Sequence, residues 1–171
     1  MSYMLGHCTW TWPKLRHLEL YGDGFDEFLS INRLLARHPS IEVISFDLSL
    51  HPYDLPSAWL PNLRALECNG NTAAFILSHS TSDSFRTLRV HGDWASAILF
   101  GRLLESLKNH AKVEHFIFMS YSIRMDEIRD VIKALPNLRT LNGCICGGDV
   151  QSLSVPRIPI SPTVFLICLS G

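Results

Sequence analysis

The sequence predicts an α/β fold made of about six repeated units, in which each unit is a β-strand followed by a helix or a loop. One pattern recurs six times: an apolar residue, two others, an apolar residue, one other and a further apolar residue, with first positions at 15, 41, 63, 85, 113 and 138. Four copies follow a proline by two positions: Pro13, Pro39, Pro61 and Pro136. Several of the intervening segments have helical periodicity. Repetition at a regular period identifies an architecture better than a single motif can.

The spacing of the copies indicates the type of repeat. Successive copies lie 26, 22, 22, 28 and 25 residues apart, within the range of about 20 to 29 that is typical of leucine-rich repeats. The third copy also supplies the small polar residue (Asn71) and the apolar residue (Ala73) that the longer pattern requires. The second copy departs at His51 and the fifth at Tyr121. We therefore predict a leucine-rich-repeat solenoid over residues 1–149, with a curved parallel sheet on its concave face.

Each copy predicts one strand, and the segments between copies predict the helices. Along a strand, repeat positions four and six point to one side, whereas positions three, five and seven point to the other. Apolar residues at helical spacing predict amphipathic helices over 26–37, 94–109 and 126–135, each with an aspartate (Asp26, Asp93 or Asp126) as its expected N-cap. Residues 72–79 predict only a brief helical turn, and 51–60, which contain two prolines, predict a loop. We expect residues 150–171 to form an irregular, proline-containing tail.

The outward positions of the strands are the candidate partner-binding surface. Parallel strands lie about 4.8 Å apart, so one outward position per strand forms a ladder roughly 24 Å long over five gaps. Ile117 and Met119, beside His115 and Tyr121, are the best candidates for an apolar anchor. They occupy outward positions, and an apolar side chain there does not help to solvate the surface. In the alternative interpretation the charged positions only solvate this face and pair weakly, at about 0 to 1 kcal/mol each. The candidate residues are Arg16, His17, Glu19, Tyr21, Arg64, Glu67, Arg86, Arg89, His91, His115, Ile117 and Met119.

Three segments carry a family resemblance. Trp-Pro-Lys-Leu-Arg-His-Leu-Glu-Leu-Tyr-Gly at 12–22, Leu-Pro-Asn-Leu-Arg-Ala-Leu-Glu-Cys at 60–68 and Leu-Pro-Asn-Leu-Arg-Thr-Leu at 135–141 resemble the leucine-rich repeats of fungal F-box-type proteins. In that family an N-terminal F-box docks onto a Skp1-type adaptor of a cullin ubiquitin ligase, and the repeats recruit the substrate. The resemblance therefore implies a substrate-recruiting role. Because the repeats begin at about Trp12, we expect a Skp1-type adaptor as a partner only if an F-box exists outside this chain. Neither end resembles a polar capping unit, so we expect a fragment.

Composition excludes several other classes of protein. The net charge is -1, with fifteen basic and sixteen acidic residues, so no bulk field favours nucleic acid or an anionic membrane. No apolar run reaches the roughly 20 residues that span a bilayer, and the N-terminus lacks the pattern of a signal peptide. Five cysteines are an odd number, which argues against a disulfide framework. We expect an intracellular protein, cytoplasmic or nuclear, that binds neither nucleic acid nor membrane.

The residues also argue against a catalytic or metal site. Cys144 and Cys146 are two neighbouring thiols, whereas a structural zinc site requires four ligands. The sequence contains neither a Gly-x-Ser-x-Gly nucleophile motif nor a phosphate-binding glycine loop. We therefore predict no enzyme, no catalytic residues, no metal and no cofactor. Three hypotheses stay open: an interaction module similar to the substrate-recruiting part of an F-box protein, a scaffold or GTPase-regulator-like repeat protein unrelated to ubiquitin, and a thiol-dependent enzyme centred on Cys144 or Cys146.

Overall fold

The structure, a computed structural model, describes residues 11–20, 28–46, 60–92, 97–120, 125–146 and 166–170. Within these residues all seven strands form one parallel sheet, whose order follows the chain from β1 to β7. The α/β class predicted from the sequence is confirmed. None of the described helices is long and apolar enough to cross a membrane. The strands are β1 (His17–Leu20), β2 (Val43–Phe46), β3 (Ala65–Asn69), β4 (Thr87–His91), β5 (His115–Ser120), β6 (Thr140–Cys146) and β7 (Leu166–Ser170), and the helices are α1 (Phe28–Arg37), α2 (Gly70–His79), α3 (Ala97–Lys108) and α4 (Met125–Ala134).

The strands pair so that equivalent repeat positions lie side by side. The fourth position of each copy forms one continuous row across six strands. The last five members of that row are buried, because positions four and six face the helices and build the core. The row consists of Leu18, Ile44, Leu66, Leu88, Phe116 and Leu141.

A tight turn precedes the strands and accounts for the recurring proline. The backbone N–H of Leu15 donates to the Trp12 carbonyl at 2.9 Å, and that of Leu63 donates to the Leu60 carbonyl at 3.1 Å. The proline follows the acceptor directly, at the turn position where its fixed φ is favoured and where no N–H is required. Asn62 strengthens the stacking, since its side-chain amide donates to the Pro39 carbonyl of the preceding turn at 2.9 Å.

Three predicted helices are present with shifted ends. Helix α1 occupies the described part of 26–37, α3 covers 97–108 of the predicted 94–109, of which 94–96 lie outside the described residues, and α4 begins one residue earlier than expected. Asp126 therefore lies inside the first turn of α4 and does not precede it, although a negative charge there still favours the helix N-terminus. Asp26 and Asp93, the other expected N-caps, lie outside the described residues, as does the predicted loop up to residue 59.

Helix α2 corrects the prediction for residues 72–79. The expected brief turn is a helix of ten residues that begins directly after β3. The Asn69 side chain is its N-cap and accepts from the Thr72 N–H at 2.9 Å. Ala73, Ile76 and Leu77 are buried in the core. Because most of the helix is buried, it has no polar stripe, and the amphipathic pattern used to recognise the other helices is missing.

The last strand differs from the expectation of an irregular tail over 150–171. Residues Leu166–Ser170 form β7, which pairs with β6 from Asn142↔Leu166 to Cys146↔Ser170. The edge of a sheet presents unpaired backbone N–H and carbonyl groups, and an apolar segment with strand propensity can satisfy them. The apolar run at 164–169 supplies such a segment.

Candidate functional site

The side of the sheet that faces away from the core carries most of the candidate residues. In β4 the exposed Arg89 lies between the buried residues Leu88 and Val90, and β3 and β5 show the same alternation. We call this surface the open face. All of its residues except Ser45 are exposed or half-buried. It consists of His17, Glu19, Val43, Ser45, Ala65, Glu67, Asn69, Thr87, Arg89, His91, His115, Ile117, Met119, Thr140 and Asn142.

The fifth repeat position forms the central row of the open face. Strand pairing aligns Glu19, Ser45, Glu67, Arg89, Ile117 and Asn142, as the repeat predicts. One guanidinium nitrogen of Arg89 lies 3.4 Å from both carboxylate oxygens of Glu67. Both side chains are substantially exposed, so this pair contributes at most about 1 kcal/mol to stability.

Three histidines lie on the open face at their expected strand positions, and each has a local polar neighbour. His17 Nε2 is 3.0 Å from a carboxylate oxygen of Glu19. His91 Nε2 is 3.2 Å from the Phe46 carbonyl oxygen. His115 Nδ1 is 3.1 Å from the hydroxyl of Thr140. These contacts orient the rings on the surface.

The apolar anchor expected on this face lies on β5. Met119 is 55% exposed and pairs in register with His91, while Ile117 is half-buried between Arg89 and Asn142. Among the described residues, the large hydrophobic side chains that are strongly exposed are Trp12, Ile98 and Met119. Met119 alone of these three belongs to the open face. Tyr21 and Tyr121, the remaining members of the predicted surface, lie outside the described residues.

The second repeat position lies beside the open face and not on the strands. This corrects the prediction that Arg16, Arg64 and Arg86 are outward residues of the strands. Each of these arginines precedes the first residue of its strand. Each of their carbonyls accepts two hydrogen bonds from the next repeat; that of Arg64 accepts from the N–H groups of Arg86 and Thr87 at 2.9 and 3.0 Å. We call this line of residues the edge row. It consists of Arg16, Glu42, Arg64, Arg86, Glu114 and Arg139.

The edge row is divided into two Arg–Glu–Arg triads. Glu42 lies 2.9 Å from Arg16 and 3.4 Å from Arg64. Glu114 lies 3.5 Å from Arg86 and 3.3 Å from Arg139 in the same way. Glu42, Glu114 and Arg139 were not selected as candidate residues, although the alternation of charge at the second position is visible in the sequence.

Two buried histidines outside the open face act in packing. The Nε2 atom of His38 accepts the Trp12 N–H at 2.9 Å, so its Nδ1 carries the proton and donates to the Leu34 carbonyl at 2.6 Å. His110 holds the equivalent place before β5, where its Nε2 lies 2.9 Å from the Leu77 carbonyl oxygen. Both rings are nearly inaccessible to solvent.

The described thiol is suited to packing and not to nucleophilic chemistry. Cys68 is fully buried in the core, and burial, with a smaller contribution from the negative charge of Glu67, raises the pKa of its thiol well above the usual value. A protonated thiol is a poor nucleophile. The side chains of Cys144 and Cys146, on which the thiol hypothesis rests, lie outside the described part of the structure. Across the described residues, no three His, Cys, Asp or Glu side chains come together in a group that could hold a metal ion.

Comparison with known proteins returns no significant match to a family model, to a curated protein or to a solved structure. A function for this chain is therefore inferred from the residues of the open face and the edge row.

Proposed function

We propose that this chain is a leucine-rich-repeat solenoid that acts as a non-enzymatic protein-interaction module and binds a protein partner through the open face, as its concave face. The observation that carries the proposal is the alignment of the outward repeat positions into one continuous surface with an exposed apolar residue, Met119, upon it. Repeat proteins commonly bind through the surface that their stacked strands form.

The composition of the open face suits a protein partner. Complete burial of a fully exposed methionine side chain contributes roughly 1.5 to 3 kcal/mol. Met119 is 55% exposed, so a partner that covers it gains about half of that, and the half-buried Ile117 adds to the apolar area. Arg89 lies on the adjacent strand β4 and Glu67 on β3, one strand further away. Charges at such places favour one orientation of a partner more than they add affinity. Apolar residues next to charged ones are the usual arrangement of a binding surface.

The resemblance to fungal F-box-type proteins extends the proposal to the substrate-recruiting part of a ubiquitin ligase receptor located in the cytoplasm or the nucleus. In that case a Skp1-type adaptor would bind an F-box outside these residues. The alternative is a scaffold or GTPase-regulator-like repeat protein without a connection to ubiquitin. Co-purification of the product of the complete gene with a Skp1-type adaptor supports the first version, and its absence supports the second.

The binding proposal is tested by replacing the anchor and measuring which proteins stay bound. We compare the native chain with the triple variant Arg89→Ala, Ile117→Thr and Met119→Ala in pull-downs from cell extract, quantified by mass spectrometry. The matched control is Ile98→Ala with Arg102→Ala, which removes an exposed apolar and an exposed basic side chain from helix α3.

We expect the triple variant to lose its specific partners at least ten-fold, whereas the control retains them. Circular dichroism and thermal unfolding verify that both variants are folded. If the folded triple variant retains the same partners as the native chain, binding through the open face is wrong.

A further inference from the structure

The centre of the edge row places two arginines next to each other. The Arg86 N–H donates to the Arg64 carbonyl at 2.9 Å, so the two backbones are in direct contact. Their side chains nevertheless pair in opposite directions, Arg64 with Glu42 and Arg86 with Glu114. With four arginines and two glutamates, the row has a net charge of +2. The junction of the two triads therefore brings two arginines of adjacent repeats together at the backbone, while their guanidinium groups pair with carboxylates on opposite sides.

Both arginines can accept a further anionic partner. The Nε atom of Arg64 lies 3.4 Å from Glu42, and the side chain is 64% exposed. The Nε atom of Arg86 lies 3.5 Å from Glu114. These distances exceed the 2.7 to 2.9 Å of strong charge-assisted hydrogen bonds, and a guanidinium has five N–H donors. The existing ion pairs thus leave donors for another acceptor.

Arg86 is held in place independently of its ion pair. Its Nη1 atom donates to the carbonyls of Asp83 and Phe85, both at 3.0 Å. These two hydrogen bonds orient the guanidinium before an anion arrives, which lowers the conformational entropy lost on binding.

The neighbouring carboxylates are engaged with other cations. Asp83 pairs with Lys112 at 3.4 Å, and Glu67 pairs with Arg89 at 3.4 Å. Among the ion pairs of the described residues, none has a carboxylate that bridges Arg64 and Arg86.

We propose that Arg64 and Arg86 together bind an anionic side chain, a carboxylate or a phosphate, of the protein that docks on the open face. This inference rests on the proposed function and adds the chemistry of the partner, which carries an acidic or phosphorylated residue that contacts the end of the sheet opposite Met119. His91 pairs with Met119 and lies five residues beyond Arg86, which is roughly 17 Å along a strand. An anion at this junction can accept a charge-assisted hydrogen bond from each of the two guanidinium groups.

The chain provides its own matched control. Arg16 and Arg139 are the outer members of the same triads, at the same repeat position and paired with the same glutamates. Replacing either the inner or the outer arginines with glutamine removes two positive charges. The two double variants therefore change the net charge equally. They differ in whether the arginines at the junction of the triads or those at the outer ends are removed.

The experiment titrates the isotope-labelled full chain with hexaglutamate and with a glycine-serine hexapeptide that carries one phosphoserine, and follows the arginine side-chain N–H signals by NMR. We expect Arg64→Gln with Arg86→Gln to weaken binding of the preferred peptide about five-fold or more, the order expected for losing two charge-assisted contacts at an exposed site. Arg16→Gln with Arg139→Gln is expected to weaken it less than about two-fold, by screened long-range attraction alone. The tighter of the two peptides identifies the source of the anion.

Equal weakening by the two double variants overturns the proposal, because it indicates attraction by a diffuse electrostatic field. Failure of both peptides to bind the native chain also overturns the proposal. An oligothymidylate that binds as tightly as the better peptide would also overturn it in favour of unspecific polyanion binding. The pull-down separates this inference from the proposed function. Partners that are lost with the open-face triple variant but kept with Arg64→Gln and Arg86→Gln refute the anion site alone, whereas partners kept with the triple variant refute the proposed function.

Discussion

The contact between Gly143 and Phe118 provides a sharp test of the packing between repeats. Gly143 holds the sixth position of its copy, where the other copies have larger residues. It pairs in register with Phe118, whose ring is buried. A Cβ atom added at Gly143 would lie 2.1 Å from Cζ of that ring and 2.3 and 2.4 Å from its two Cε atoms. The phenylalanine of one repeat thus fills the space that a side chain of the next repeat would need.

We expect Gly143→Ala to destabilise the protein by about 1 to 2 kcal/mol. Ordinary van der Waals contact begins near 3.4 Å, so the Phe118 ring has to move by more than 1 Å within a packed core, and overpacking of that kind costs about 1 to 3 kcal/mol. The lower conformational entropy of alanine in the unfolded chain offsets about 0.4 to 1 kcal/mol of that cost. The free energy of unfolding, measured by urea denaturation, reports the difference.

A double-mutant cycle with Phe118→Leu isolates the clash. Leucine lacks the ring atoms that the new Cβ would meet, so Gly143→Ala is expected to cost at least 1 kcal/mol less in the Phe118→Leu background. Gly101→Ala is the control: nothing lies within 4 Å of the added Cβ in the middle of helix α3, and we expect stabilisation by about 0.5 to 1 kcal/mol. Additive effects of Gly143→Ala and Phe118→Leu, or a Gly143→Ala variant of native stability, would refute the packing argument.

Three further predictions concern a cap, a thiol and an ion-pair triad. Asn69→Ala removes the N-cap of α2 and is expected to lower the free energy of unfolding, measured by urea denaturation, by about 1 kcal/mol. Asn69→Asp is expected to retain most of the native stability, because aspartate is also a good N-cap. The buried Cys68 thiol has its pKa raised in the folded state, so its contribution to stability is present below the unfolded-state value, roughly 8.5, and is lost as the pH rises above it. The fall in stability between pH 8 and 10 should accordingly be smaller in Cys68→Val than in the native chain, and an equal fall in both proteins contradicts this assignment. Glu42→Gln removes two ion pairs whose arginines are largely exposed; we expect a loss below about 1 kcal/mol that becomes smaller in 1 M salt, and a larger loss would show that the edge row supports the fold.

Much of the sheet was predictable because the relevant signals are local. The repeat places Leu66 and Cys68 towards the core and Glu67 away from it, and the structure agrees. The alignment of Arg89 with Glu67 and Ile117 also follows from the repeat, since equal positions in stacked units become neighbours across strands. The candidate surface could be found from the sequence for the same reason.

The elements that were missed depend on surroundings that a single sequence does not display. Helix α2 is buried on most sides, so its pattern lacks the polar stripe that marks an amphipathic helix. Strand β7 forms because β6 offers an edge to it, and that edge exists only in the folded chain. The second repeat position was counted among the outward positions because it is charged or polar in every copy, although strict alternation does not assign it to that face; at Arg64 and Arg86 the chain is still entering the sheet.

The sequence by itself determined the α/β class, the order of the repeats and the face that each strand residue occupies, because these depend on spacing along one chain. The tertiary structure decided which charges of different repeats pair and where the two arginine triads meet. It also decided that the Phe118 ring fills the space that a side chain at position 143 would need. Those properties arise between residues 20 or more positions apart in the sequence. Their distances are set by the stacking of whole units, and the pattern within any one unit does not contain them.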